Sequence, residues 1–187
     1  IQLHDHSAEV SWPGDGNEGE GYLLGLLLGD GTLKSDRAVL SVWPPRVACG
    51  GEAAPVNGVM RAAETALRGL GHRSDFSGWW PVQGRDEWRM STAGLKTLAE
   101  RFGMKQGAKT ISDSIERASS GFQIGFLRGL FDADGSVQGT QAKGVSVRLA
   151  QSSLTTLEAV QRMLARLVII SGIYVDRRPA GLSRLPD

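Results

Sequence analysis

Two stretches of the chain repeat one pattern of apolar and small residues. The first reads Gly21-Tyr-Leu-Leu-Gly25-Leu-Leu-Leu-Gly29-Asp30-Gly31-Thr32-Leu33. The second reads Gly125-Phe-Leu-Arg-Gly129-Leu-Phe-Asp-Ala133-Asp134-Gly135-Ser136-Val137, aligned without a gap at an offset of 104. Small residues recur every four positions, at Gly21, Gly25 and Gly29 and again at Gly121, Gly125, Gly129 and Ala133. That spacing stacks them on one face of a helix. Glycine inside a helix costs roughly 0.5–1 kcal/mol relative to alanine, so several together need compensation. Two helices packed closer than the usual ~8–10 Å supply it, with Gly25, Gly29, Gly129 and Ala133 at the predicted interface. Each helix then runs into Asp-Gly, where the glycine is expected in the left-handed conformation that closes helices.

Beyond each motif the hydrophobic period shortens to two. Val39 to Trp43 and Gly144 to Ala150 predict strands, followed by amphipathic helices over Val56 to Leu70 and Leu154 to Leu167. The first half adds a strand pair near His72 to Trp79 and Asp86 to Ser91, then a helix near Thr92 to Phe102. The order is αββαββα. The second half reaches one more strand, near Ile173 to Arg177, before Arg178-Pro-Ala-Gly, so its last strand and helix are expected to be missing. The predicted fold class is therefore α+β: two pseudo-symmetric αββαββα half-domains packed through their motif helices, the second truncated. The divisions are an acidic, Gly-rich mobile leader over 1–19, a first half-domain over 20–105, a linker over 106–120 and a second half-domain over 121–187.

With 187 residues and 41% hydrophobic content, the chain can bury a core of its own. Its longest apolar runs are too short to span a bilayer, and no secretory leader opens it, so a soluble, cytoplasmic protein is expected. The single cysteine, Cys49, excludes an internal disulfide. Net charge is only +1, but the first 21 residues hold five acids and no Lys or Arg. The rest of the chain carries 21 basic against 15 acidic residues, a net of +6, compatible with a phosphate-binding face.

Asp30 and Asp134 fall at the ends of the two predicted helices. A carboxylate there faces the negative end of the helix dipole, and two such groups repel each other. A divalent cation relieves both penalties, and hard oxygen ligands favour magnesium or calcium. An EF-hand loop starting at Asp132 is excluded, because Val137 stands where its glycine belongs and Lys143 where its last glutamate belongs. Trp79, Trp80 and Trp88 are read as core or sheet-packing residues.

The two motifs resemble the LAGLIDADG signature, nearly verbatim in Leu127-Arg-Gly-Leu-Phe-Asp-Ala-Asp-Gly135 and more loosely in Leu23-Leu-Gly-Leu-Leu-Leu-Gly-Asp-Gly31. The resemblance covers most of residues 20–177 and is similar in style to the endonuclease domains embedded in inteins, those of ribonucleotide reductases in particular. It implies a homing endonuclease acting on double-stranded DNA in a gene that lacks the intein, as a monomer with internal pseudo-twofold symmetry. It implies Asp30 and Asp134 as metal-binding acids, with Mg²⁺ as cofactor and Mn²⁺ as substitute, and Lys109 as a third catalytic residue within Lys109-Thr-Ile111-Ser, where serine replaces the family's proline. Asp132 has only Leu28 as counterpart and receives no catalytic role. The family's saddle-like sheets would enter the major groove, making Lys34, Arg37, Arg46, Arg73, Arg85, Arg89, Lys143 and Arg148 the DNA-contacting candidates. Ile1 and Asp187 supply neither the nucleophile nor the Asn that splicing requires, so the chain alone is expected not to splice. Two other functions fit the same residues: a non-cleaving binding module, whether a decayed endonuclease, a maturase or a regulator, and an inert insert of an intein.

Overall fold

The computed structural model describes residues 11–43, 58–71, 74, 76–140, 142 and 144–174. Arg46, Arg73, Lys143 and Cys49, the predicted helix start at Val56 and most of the strand expected near Ile173 to Arg177 lie outside them. The first half runs α1 (Glu18–Asp30), β1 (Gly31–Leu33), β2 (Ala38–Val42), α2 (Gly58–Leu67), β3 (Trp80–Pro81), β4 (Trp88–Thr92) and α3 (Ala93–Arg101). A short α4 (Asp113–Glu116) follows, and the second half then repeats the order with α5 (Ser120–Asp134), β5 (Gly135–Thr140), β6 (Gly144–Leu149) and α6 (Leu154–Arg166). The mixed α and antiparallel β architecture and its internal repeat are those the sequence predicts. Two details differ. Among the described residues, 76–79 form no strand and the β3 strand begins only at Trp80, and the segment assigned as linker contains α4.

Local chemistry sets the helix starts. Asn17 and Glu20 form a reciprocal capping box at α1, with Asn17 N–H donating to Glu20 Oε2 (3.0 Å) and Glu20 N–H to Asn17 Oδ1 (3.1 Å). The hydroxyls of Thr92, Ser119 and Ser153 accept backbone N–H groups at the starts of α3, α5 and α6. The acidic leader is not a free tail where it is described. Trp12 indole N–H donates to Ala118 O (2.9 Å), Ser119 Oγ donates to Gly16 O (2.6 Å), and Ser119 N–H donates to Asp15 O (3.0 Å). The leader's last residues thus dock on the turn that starts α5.

The first sheet is antiparallel in the order β1-β2-β4-β3, with Leu40 opposite both Gly31 and Met90. Leu33, Ala38, Leu40, Met90 and Thr92 point into the core, while Ser41, Arg89 and Ser91 lie on the opposite face. The second sheet, β5-β6, pairs Val137 with Val147 and Gly139 with Val145. By the same alternation these valines share the face that is buried in the first half, yet they are 72%, 66% and 64% exposed (Val137, Val147, Val145). In the first half α3 packs on β2 and β4, and among the described residues nothing equivalent closes over β6.

The core is centred on α1 and α5. Gly21 to Leu27 are all buried, as expected for a helix apolar on every side. Phe102 stacks on Phe122 at 4.3 Å between centroids, and Phe122 on Phe126 at 6.2 Å.

Candidate active site between the paired helices

The glycine ladders bring the two motif helices into backbone contact. A Cβ at Gly25 would overlap the Phe126 carbonyl oxygen and stand 2.7 Å from the Leu130 nitrogen. At Gly129 it would overlap the Tyr22 carbonyl oxygen and stand 3.0 Å from the Leu26 nitrogen, while Gly21 and Gly125 meet the Phe122 and Glu18 carbonyls in the same way. At Gly29 the neighbours are Ala133 Cβ at 2.5 Å and Asp134 Oδ2 at 3.1 Å. Gly25, Gly29, Gly129 and Ala133 therefore lie in one seam, and its lower end brings the residue before Asp30 against the Asp134 carboxylate.

Neither motif helix ends in the left-handed conformation. Gly31 has φ −108° and Gly135 φ −81°, both ordinary for L-residues. The glycines are needed for a different reason: the chain passes from helix straight into strand, so a Cβ at Gly31 would lie 2.6 Å from Leu27 Cα and one at Gly135 3.0 Å from the Phe131 carbonyl carbon.

Lys109 is brought to the same place from the segment between the halves. Its ammonium donates to Leu27 O (2.9 Å), Leu28 O (3.2 Å) and Gly31 O. Of these, Leu28 O lies in the last turn of α1, whose carbonyls lack helical partners, and Gly31 O belongs to the first residue of β1. The cation needed to offset an anion at this helix end is therefore already supplied, in part, by the protein itself. Burial lowers the Lys109 pKa, against the opposing pull of Asp134 and Asp30. Burial also raises Asp30, the Asp134 charge adds to the rise, and Lys109 opposes it, leaving Asp30 pushed up to about 6. Asp134 is likewise raised by burial, against a hydrogen bond from Gln151 and the Lys109 charge.

Gln151, whose Nε2 donates to Asp134 Oδ2, is absent from the sequence-based candidates. Its signal was the alternation of β6: Val145, Val147 and Leu149 share a face, and the next residue on that phase is a polar one beside Asp134. Asp132 is also engaged, accepting from Tyr22 Oη at 2.8 Å across the helix pair, with the Arg128 guanidinium 5.2 Å over the Tyr22 ring.

Among the described residues no group of three or more His, Cys, Asp or Glu converges to hold a metal. Two desolvated carboxylates with few neutralising partners fit a hard divalent ion that completes its shell with water and phosphate oxygens, as Mg²⁺ does, rather than an ion that needs a full protein cage.

The basic candidates are dispersed over the two sheets. Lys34 and Arg37 sit in the β1-β2 turn, where Arg37 pairs with its neighbour Asp36 at 2.9 Å. Arg85 lies in the β3-β4 turn and Arg89 on β4, both beside Glu87, at 3.7 Å and 2.6 Å. Arg148 lies on β6, its Nε donating to Ser146 Oγ at 3.1 Å. Of the tryptophans, Trp79 packs against the core and donates to Met60 O (3.2 Å), whereas Trp80 is 38% exposed.

Two α+β halves joined by a glycine-lined helix pair, with one acid at each helix end, define a symmetric-repeat class of domain. Residues 121–186 match the family model of the LAGLIDADG-like domain. In three dimensions the chain is similar to a crystal structure of a doubly substituted I-DmoI in complex with its target DNA, nicked in the coding strand A, in the presence of 2 mM Mn. The TM-score is 0.55 at 18% identity, covering 88% of this chain and 84% of that one, which establishes the shared fold. No curated protein matches the sequence. The second half of the chain therefore matches a LAGLIDADG-like domain, and the chain as a whole shares the fold of the I-DmoI structure. No helix among the described residues is long and apolar enough to cross a membrane.

Proposed function

We propose that this domain is a site-specific DNA endonuclease that makes a double-strand break by hydrolysing one phosphodiester in each strand. The observation that carries this is the meeting of Asp30 and Asp134, one from each half, at the ends of helices packed backbone to backbone. The DNA complex recorded for the I-DmoI variant supports the same substrate class. Asp30 and Asp134 would hold Mg²⁺, for which Mn²⁺ substitutes; the bound ion would lower the pKa of water and neutralise charge on the phosphate.

The chain's own groups do the remaining work. The backbone seam fixes the spacing of the two carboxylates, because no side chain intervenes that could flex. Gln151 orients Asp134 by donating to one of its oxygens. Lys109 holds the end of α1, and with it Asp30, while contributing positive charge next to the phosphate. With its N–H groups engaged by three carbonyls, it acts on the phosphate as a fixed charge unless one of those bonds is released. Lys34, Arg37 and Arg85 in the turns of the first sheet, and Arg89 and Arg148 on the strands, would contact the duplex; Arg46, Arg73 and Lys143, outside the described residues, remain candidates from the sequence. The target is a gene from which the intervening sequence is absent.

The test is incubation of the chain with a plasmid library carrying randomised inserts in Mg²⁺, followed by capture of cleaved ends. The expected result is a shared sequence at the ends, lost with EDTA and with Asp134→Asn. Cleavage that persists in the Asp134→Asn protein contradicts the proposal.

A further inference from the structure

The sheet face turned away from the core holds one arginine whose geometry differs from that of the other basic residues. Glu87, immediately before β4, has a side chain only 2% exposed, although its phase along the strand places it with Arg89 and Ser91 on the polar face. A carboxylate removed from water there requires partners. Arg89 provides them in a fork: Nε donates to Glu87 Oε1 at 2.6 Å and Nη2 to Oε2 at 3.2 Å. Arg85 adds a weaker ion pair at 3.7 Å. Arg89 itself remains 38% exposed and sits between Ser41 of β2 and Trp80 of β3 in the register.

Consider what this leaves on the guanidinium. Arginine carries five N–H donors in one plane. The carboxylate takes the Nε edge and one Nη2 proton, and Nη1 has no partner among the described residues. The unpaired donors are thus those of the end-on fork, the pair that matches the O6 and N7 acceptors of guanine in the major groove. Fixing the plane in advance removes the rotamer entropy that a free arginine would lose on binding. Arg37 pairs only with its chain neighbour Asp36, at a site where both side chains are more than half exposed, and lacks any comparable buried buttress.

On the premise that the domain binds duplex DNA through this face, we propose that Arg89 reads one guanine of the target and that Glu87 is the positioning residue that holds it for that contact. Arg89 then determines specificity at one base pair, whereas an arginine that contacts phosphate strengthens binding to all sequences alike.

The experiment is selection of bound duplexes from a randomised DNA library by the full chain and three variants: Arg89→Ala, Arg89→Lys and Glu87→Gln. The wild-type pool should fix guanine at one position, with discrimination of at least about tenfold over other bases. Both Arg89 variants should lose that preference while keeping those at other positions, since lysine keeps the charge but cannot fork. Glu87→Gln should weaken the same preference and no other. A guanine preference that survives in either Arg89 variant overturns the inference, as does a uniform loss of binding across all sequences, the signature of a phosphate contact. A Glu87→Gln pool identical to wild type overturns the positioning role. A wild-type pool with no enriched sequence contradicts DNA recognition itself, a failure distinct from the others.

Discussion

Asp30 combines partial burial, a second carboxylate and a helix C-terminus, and each of these opposes its charge. Its pKa of about 6 lies above the ordinary 3.8, so the folded chain holds this proton more tightly than the unfolded one. The folded state therefore loses stability as pH rises from about 4 to about 6, and the loss stays constant above that window. Asp30→Asn removes the penalty: in metal-free buffer at pH 7 the variant is expected to be more stable by on the order of 1–2 kcal/mol after allowance for solvent screening. At pH 3 the difference should vanish, which denaturant unfolding at the two pH values checks. Equal stabilities at pH 7 would mean that Asp30 is solvated. Under the proposed function the same carboxylate would supply the charge that holds the metal, so stability and activity would pull against each other here.

Between elements, the two sides of the helix pair solve one packing problem differently. Tyr22 and Asp132 share a hydrogen bond of 2.8 Å, while the repeat-related positions carry Phe126 and Leu28. Asp132 is exposed, so water replaces the lost donor in Tyr22→Phe, which should cost only about 0.5–1.5 kcal/mol. In an Asp132→Leu background, which reproduces the other side, Tyr22→Phe should cost nothing further because the acceptor is already gone; an equal cost in both backgrounds would count against the pairing. The seam itself allows no such exchange. Gly129→Ala drives a methyl into the Tyr22 carbonyl and should cost more than about 3 kcal/mol, if the protein folds at all. The opposite sign is expected at Val168, which closes α6 with φ 66° while Ile169 N–H donates to Leu164 O (2.9 Å). That conformation suits glycine, so Val168→Gly should stabilise by about 1 kcal/mol in thermal or denaturant unfolding.

For the molecule as a whole, the parts legible in the sequence were those written locally and written twice. The glycine spacing, the Asp-Gly endings and the change of period after them gave the paired helices, the strands that follow and the two acids. What escaped were contacts between residues distant in the chain: Lys109 on carbonyls 82 and 81 residues earlier, and Trp12 on Ala118 across 106. No periodicity records which backbone oxygen a lysine will reach. Gln151 fell between these cases, its strand phase readable but its partner set by how β6 meets the end of α5. The motif glycines stand where the pattern predicts, but at Gly31 and Gly135 it is the direct helix-to-strand transition, not a left-handed cap, that demands a missing Cβ.

All of this converges on one pair of carboxylates shared between the halves. The most direct measurement is the rate of cleavage of each strand of an end-labelled, library-selected duplex in Mg²⁺, by wild type, Asp30→Asn and Asp134→Asn, at matched DNA occupancy. The account predicts that either substitution slows cleavage by at least about a hundredfold while binding persists. Wild-type rates on both strands in either variant would contradict it.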